Sequence, residues 1–289
     1  MPLDIDVAIV TFRRKDLVRR CLGSLALAGD DVSLNVFVVD NASGDSTAET
    51  VAREFPHVVL TVNDENRGFA RATNQAIRAG SAPYVLVLNP DARIGPGTLG
   101  PLLGLLEAQP GVAAVGPLLL TEDGTPDHAA KRSFPTVRGA LSHFSGFDRA
   151  FPSLRQYANS DLSAGETDAI NGAFMLVRRD ALEAVGLFDE GYWMYMEDLD
   201  LCRRLWEEGW KVRFEPSAIA WHDKGGSAGP LRSPRLNLAF HYGMYRFYRR
   251  WEAPRRPLLA NLAVYAGIYT KLAVSMVWGA LARLVRRAQ

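Results

Sequence analysis

Residues 34–43, Leu34-Asn35-Val36-Phe37-Val38-Val39-Asp40-Asn41-Ala42-Ser43, read as one buried strand and its exit. The run is almost unbroken in apolar, β-favouring side chains, then turns abruptly polar. A strand covered by helices on both faces has this pattern, whereas a half-solvated strand alternates. Runs of the same kind stand at Asp6–Phe12 (DVAIVTF) and Tyr84–Leu88 (YVLVL), with a shorter one at Val58–Val62. Helical spacing of apolar residues fills the intervals: Asp16–Leu27, Ser46–Phe55, Phe69–Ala79 and Gly97–Ala108. Strands alternating with helices predict an α/β fold, a Rossmann-like, doubly wound and mostly parallel sheet.

Beyond residue 120 the pattern loosens. Thr121–Gly165 has no clear period, and a long irregular segment inside a compact fold is usually functional. Ala169–Val177 reads as a strand and Asp180–Val185 as a short helix. Glu197–Glu208 reads as a helix closed by Gly209, and Lys211–Phe214 and Ala218–Trp221 as strands. Gly225–Pro230 is a flexible-loop signal. Asn237–Trp251 is helical in spacing, rich in arginine and aromatic residues, and broken by Pro254 and Pro257. The division expected is a catalytic body over 1–232, with halves at 1–120 and 121–232, and helical segments over 233–289.

The 289 residues and their 48% hydrophobic content suffice for a substantial core and exclude a disordered chain. Cys21 and Cys202 each sit in an apolar helical pattern, so two buried thiols in a reducing compartment are expected. The N-terminus lacks the basic region and cleavage site of a signal peptide, which points to the cytoplasm. The net charge of +1 hides an asymmetry. From residue 240 onward nine Lys and Arg face one acid, Glu252, while the preceding body is acidic. A basic tail on an acidic body predicts an anionic partner for the tail.

In open α/β sheets ligands bind beyond the carboxyl ends of the strands. Three strands end in polar groups: Thr11 followed by Arg13, then Asp40-Asn41, then Asn89-Pro90-Asp91. An aspartate at such an end can accept a hydrogen bond from a base N–H or hold a cation against a diphosphate. Each could equally serve as a turn former or helix cap. Thr11-Phe12-Arg13-Arg14 stands where a dehydrogenase would carry its glycine fingerprint, and no P-loop is present. The densest polar cluster is Tyr192-Trp193-Met194-Tyr195-Met196-Glu197-Asp198-Leu199-Asp200. Acids in a first turn favour the helix dipole, but one would suffice. Aromatic walls beside carboxylates suit a sugar site and raise a carboxylate's basicity.

The sequence resembles the glycosyltransferase family 2 proteins, in particular the rhamnosyltransferase-like branch. The resemblance rests on VAIVTFRR, VVDNASGDST, NDENRGFARATNQA, VLVLNPDARI, INGAFMLVRR and GLFDEGYWMYMEDLDLCRRLWEEGWKVRFEPSAIAWHDKGGS, in that order over residues 7 to about 227. It implies a GT-A fold and an inverting transfer from a nucleoside diphosphate sugar. It implies that Thr11 and Asp40 hold the nucleoside, with Arg13 beside them. It further implies that Asn66, Gly68 and Asn74 line the nucleotide-sugar site, and that Asp91 is the last acid of a D-x-D metal motif. Asn89 departs from that motif and leaves Asn-Pro-Asp. The resemblance gives Asp198 as the catalytic base and His222 as a metal ligand. It places Asn171 and Gly172 at the acceptor, where the aromatic run ending at Tyr195 and the adjoining Glu197 also fall. With few protein charges in the motif, Mg²⁺ is the expected cofactor, with Mn²⁺ as the alternative.

Leu258–Ala282 carries Lys271 as its only charge. As a straight helix it would reach about 37 Å, against about 30 Å for a bilayer core. Lying in the membrane interface is the expected arrangement, with a true span, or packing on a dimer partner or on the body, as alternatives. A peripheral position at the cytoplasmic face of the membrane and a lipid-linked saccharide acceptor follow; nucleic acid is not an expected partner. The transfer expected is of a deoxysugar, L-rhamnose from its dTDP donor, in surface-polysaccharide assembly. The competing readings are a nucleotidyltransferase that makes nucleotide sugars and a non-catalytic, membrane-bound sugar-binding scaffold. The Gly-rich loop after His222 is expected to act as a lid.

Overall fold

The computed structural model describes residues 3–27, 32–135, 161–223 and 233–287. The expected lid, at 225–230, lies outside the described residues, as does 136–160 of the irregular stretch.

The first half follows the alternation read from the sequence: β1 (Leu3–Thr11), α1 (Lys15–Leu25), β2 (Val32–Asp40), α2 (Thr47–Glu54), β3 (Val59–Val62), α3 (Phe69–Ala79), β4 (Tyr84–Leu88), β5 (Ala92–Ile94) and α4 (Leu99–Ala108). β1 pairs in parallel with both β2 and β4, and β2 with β3. The chain continues through β6 (Val112–Leu120), β7 (Lys131–Arg132), β8 (Gly165–Glu166), β9 (Ala169–Ile170), β10 (Phe174–Arg178), α5 (Arg179–Ala184), α6 (Glu197–Glu207) and β11 (Lys211–His222). The main sheet runs in the order β3-β2-β1-β4-β10-β6-β11-β5, with β8 on β11. β10 enters antiparallel between β4 and β6, while β6 and β11 are parallel.

Strand alternation divides the core into two layers. Ile5, Val7, Ile9, Leu86 and Leu88 face α1 and α4, against Val18, Leu102 and Leu106. Ala8, Val10, Val85 and Val87 face α3 and α6, against Ile77, Leu199 and Leu205. Both faces are therefore dry, which is why the strands read as continuous apolar runs. Cys21 and Cys202 are free and buried.

The structure departs from the sequence reading in places. Val112–Leu120, given no element there, forms β6, and the strands read at Lys211–Phe214 and Ala218–Trp221 are one, β11. β6 contains Gly116-Pro117, and proline cannot donate to a ladder. It is tolerated because Pro117 partners Glu215 where the β11 register shifts, between Glu215 and Ile219. The single strand expected over Ala169–Val177 is two pieces parted by Asn171–Ala173. There the Asn171 side chain accepts from the Ala173 N–H at 2.9 Å, and this turn faces the site.

The tail comprises α7 (Pro234–Phe247), a π turn (Tyr248–Glu252), a 3₁₀ turn (Ala253–Arg255) and α8 (Leu258–Arg287). Ser233 caps α7, accepting from the Leu236 N–H at 3.3 Å, with Pro234 in the first turn. α8 packs along α7: Asn237 donates to Ser275 at 2.9 Å, and the Tyr245 and Tyr265 rings lie 5.2 Å apart.

Candidate active site

The strands that carry the candidates end on one edge of the sheet. Thr11 and Asp40 are partners on the last rung of β1 and β2. Leu88 faces Phe174 across β4 and β10, so the exit of β4 and the entrance of β10 lie side by side. The Asn89 N–H donates to the Ala173 carbonyl at 2.9 Å. His222 ends β11 opposite Ala92, and the Asp223 N–H donates to the Asp91 carbonyl at 2.9 Å.

These ends wall a cleft of about 1130 Å³. Thr11, Arg13, Asn66, Asn89 and Asp91 line it, with Asn171, Gly172, Tyr195, Glu197, Asp198 and His222. Three expected site residues stand behind the wall. Asp40 is buried, and its carboxylate accepts from the Ser43 N–H at 3.0 Å and from the Ser43 hydroxyl; it ties a turn. Gly68 has φ +84°, and a β-carbon there would stand 2.4 Å from the Trp193 carbonyl oxygen, so its role is close approach. Asn74 is buried beneath the next loop, donating to the Phe188 carbonyl at 2.9 Å and accepting from the Phe188 N–H at 3.1 Å. It fixes α3 to the segment that leads to the acids.

The sequence reading passed over Asn41, which does line the cleft. Its amide donates to Asn66 and to the Gly68 carbonyl, each at 3.1 Å, and accepts from the Asn63 amide and the Arg67 N–H. A saturated buried amide of this kind fixes the loop that carries Asn66. The signal was its place directly after Asp40 on a strand end.

Asp198 sits in the first turn of α6, where the helix dipole favours an anion. Its carboxylate accepts from the Gly172 N–H at 3.1 Å and from the Leu199 N–H at 2.8 Å, and pairs with Arg132. Arg132 was not foreseen, because β7 lies in the stretch without period. Glu197, beside it, is buried and one of its oxygens has no hydrogen-bond partner. Burial, and then the negative charge of Asp198, push its carboxyl up to about 8.

The turn before these acids is held in an unfavoured conformation. Tyr195 and Met196 have φ of 71° and 72°, a left-handed geometry that costs each non-glycine residue about 1–3 kcal/mol. α7 braces it from behind. At Gly243 a β-carbon would stand 2.9 Å from the Tyr195 carbonyl oxygen. Arg246 makes a forked contact with Asp189 at 2.8 and 2.9 Å, and its guanidinium lies 5.3 Å from the Tyr192 ring centre. Buried Asp200 accepts from Arg204 at 2.8 Å and from the Trp251 ring N–H at 2.9 Å.

On the opposite wall the His222 imidazole stands between two buried carboxylates, with Nε2 3.4 Å from Asp91 and Nδ1 3.7 Å from Asp127. Burial opposes its charging, but Asp127 and Asp91 outweigh that and lift it to about 9. Among the described residues no three His, Cys, Asp or Glu side chains are arranged to hold a metal unaided. Asp91 and the near nitrogen of His222 nevertheless suit a cation that takes its remaining ligands from phosphate and water. A carboxylate behind the far nitrogen is the usual way such an imidazole is oriented. Asp127 was missed for the same reason as Arg132.

A family model described as glycosyltransferase like family 2 matches residues 2–235. The N-acetylglucosaminyl-diphospho-decaprenol L-rhamnosyltransferase of Mycobacterium tuberculosis is 34% identical over 272 residues, covering 87% of this chain and 88% of that protein. The poly-beta-1,6-N-acetyl-D-glucosamine synthase of Staphylococcus aureus is 25% identical over 228 residues, 77% of this chain but 52% of that protein. The solved mannosyltransferase PcManGT of Pyrobaculum calidifontis, in complex with GDP-Man and Mn²⁺, aligns with TM-score 0.60 at 20% identity, over 100% of this chain and 76% of that one. GalNAc-T7 with UDP, GalNAc and Mn²⁺ aligns with TM-score 0.61 at 14% identity, over 86% and 48%. At these identities the structural likeness is one of fold.

Proposed function

The chain belongs to the glycosyltransferase family 2-like proteins, and from that premise we propose that it transfers L-rhamnose, with inversion, from a nucleoside diphosphate donor to a saccharide carried on a polyprenyl diphosphate. One observation carries the reading: Asp198, Asp91 and His222, far apart in sequence, line one cleft. The rhamnosyl donor and the lipid-linked acceptor are taken from the mycobacterial relative, which aligns over nearly its whole length.

In this mechanism Thr11, Arg13, Asn41 and Asn66 seat the donor's nucleotide on the β1–β2 side. Asp91 and His222, oriented by Asp127, are the residues that would hold a divalent cation, Mg²⁺ or Mn²⁺. Such a cation, when bound, neutralises charge developing on the leaving diphosphate. Asn171, Gly172 and Tyr195 border the acceptor. The Asp198 carboxylate, held by the Gly172 N–H, takes the proton of the acceptor hydroxyl as that oxygen attacks the anomeric carbon. One displacement inverts the centre, and the electron pair of the broken bond leaves with the nucleoside diphosphate. Residues 1–232 form the catalytic body in this reading. The tail rests on the cytoplasmic face of a membrane, where a lipid-linked acceptor is found.

The experiment is transfer from dTDP-rhamnose to N-acetylglucosaminyl-diphospho-polyprenol by the purified protein and by Asp198→Asn. Loss of transfer by about 10²–10⁴-fold, with donor binding retained, supports the assignment. Full activity of the variant removes Asp198 as the base. Release of pyrophosphate from dTTP and a sugar 1-phosphate, in a parallel incubation, would indicate a nucleotidyltransferase instead.

A further inference from the structure

The catalytic cleft is not closed by the α/β body alone. Ser275, Met276, Trp278, Gly279 and Arg283 of α8 line it, together with Arg235 of α7, in the same cavity as Asp91 and Asp198. We propose that this wall is the binding site for the acceptor's diphosphate. Arg235 and Arg283 grip its phosphates, and Met276 and Trp278 seat the first isoprene units on their way into the bilayer. The proposal rests on the lipid-linked acceptor assigned above.

Three observations carry it. The first is charge. The body contributes both signs to the cleft, Asp91, Glu197 and Asp198 with Arg13, Arg14 and Arg132, while the charged side chains that the tail contributes are arginines alone. Among the described residues Arg235 reaches the Asn66 carbonyl, at 3.5 Å, and the face of Trp193, at 4.1 Å. Among the described residues no carboxylate pairs with Arg235 or Arg283. Two guanidinium groups without acidic partners at the mouth of a cleft suit a phosphate, whose oxygens accept two parallel N–H bonds from each fork.

The second is the geometry of α8. Ser275, Gly279 and Arg283 recur at four-residue spacing, so they share a face. Gly279 has no side chain, and the Arg283 guanidinium lies back over it: a β-carbon there would stand 3.4 Å from one of its nitrogens.

The third is continuity with an apolar surface. Leu262, Val274, Val277 and Leu281 are exposed on α8. Trp278 both lines the cleft and is 71% exposed, so it stands where the cavity opens onto that surface. Indole rings favour this boundary between headgroups and hydrocarbon. α8 is fixed at Asn261, which accepts from the hydroxyl of Tyr248 in the π turn at 2.7 Å, and again at Ser275, which accepts from Asn237 of α7. Held at these two points, α8 lies along α7, and its outer face is free to rest in the membrane interface.

The test uses the full chain and two sets of vesicles of equal charge, one carrying undecaprenyl diphosphate and the other phosphatidylglycerol alone. Wild-type protein is expected to sediment preferentially with the first. Arg235→Ala/Arg283→Ala is expected to lose that preference while its thermal shift with dTDP-rhamnose persists, which verifies its fold. Free pyrophosphate is the third arm: competition at micromolar concentration would assign the site to a soluble phosphate and overturn the proposal. Equal binding to both vesicle types by the wild type, or an undiminished preference in the double variant, overturns it as well. In the transfer assay each single alanine variant is expected to raise acceptor KM about tenfold or more, the size of a lost charge-assisted hydrogen bond, with donor KM held. Unaltered acceptor KM in active variants defeats this inference alone. Failure of the wild type to transfer to any lipid-linked acceptor defeats the functional reading beneath it.

Discussion

The backbone N–H of Gly172 donates to Oδ2 of Asp198 at 3.1 Å, which joins the turn that opens β10 to the first turn of α6. A β-carbon at position 172 would stand 3.2 Å from the β-carbon of Asp198. Gly172→Ala therefore displaces the carboxylate by a few tenths of an ångström without imposing a left-handed backbone. Displacements toward 1 Å cost about 10²-fold in rate, so a kcat loss of roughly tenfold is expected with donor KM preserved. Steady-state kinetics beside a thermal melt decide it. An unchanged kcat would mean that the placement of Asp198 is not set by this turn.

Gly243 supports the strained turn before Asp198 from the side of the tail. In Gly243→Ala the new methyl meets the Tyr195 carbonyl oxygen at 2.9 Å and the Met196 side chain at 3.0 Å, and one of the two elements must yield. Overpacking of this kind costs about 1–3 kcal/mol. Both a lower melting temperature and a lower kcat are expected. A destabilised variant with wild-type kcat would show that α7 holds up the fold without setting the acids.

Glu197 makes stability depend on pH in a direction opposite to that of most carboxylates. Burial raises its carboxyl from 4.5 to about 8, so between those values the folded chain holds a proton that the unfolded chain has lost. By linkage, stability falls as pH rises through that window. Glu197→Gln removes the titrating group and should flatten this part of the curve, making the variant the more stable form at the alkaline end. Melts of both proteins across the window test it, and parallel curves would contradict the assignment.

The parallel half of the sheet was legible because dry strands must be apolar on both faces. That pattern in DVAIVTF, LNVFVVD and YVLVL places Thr11, Asp40 and Asp91 on one edge with no further information. The acid cluster holding Asp198 stood out in the sequence, but the choice of Asp198 within it and the role of His222 rested on family resemblance, since first-turn acids and a strand-end histidine have ordinary structural uses. Asp40 and Asn74 also hold structure together, their side chains engaged by Ser43 and by the Phe188 backbone, contacts that no spacing encodes. Arg132 and Asp127 come from a stretch without periodicity, where chemistry is carried by irregular backbone. The tail read as a membrane element by composition. Its apolar helix also walls the cleft, and that became visible only once α7 was seen to hold Ser275 beside the body.

Asp127 provides the most direct test of the metal reading. Its carboxylate stands 3.7 Å from Nδ1 of His222, and Nε2 on the other side of the ring faces Asp91 at 3.4 Å. Without a cation the two carboxylates favour the doubly protonated ring; a cation bound at Nε2 would take the place of that proton, and Asp127 would keep the other on Nδ1 and make the imidazole a stronger ligand. Asp127→Asn preserves size and an acceptor oxygen but removes the charge. Weaker cation binding by about 10–100-fold is expected, the usual loss when such a partner is altered. Titration of Mn²⁺ into protein saturated with dTDP measures it directly, and His222→Ala sets the scale for loss of the ligand itself. If Asp127→Asn binds Mn²⁺ as tightly as wild type while His222→Ala does not, Asp127 has no part in orienting the imidazole. If neither variant changes the affinity, the cation is held by Asp91 and the diphosphate without help from β11.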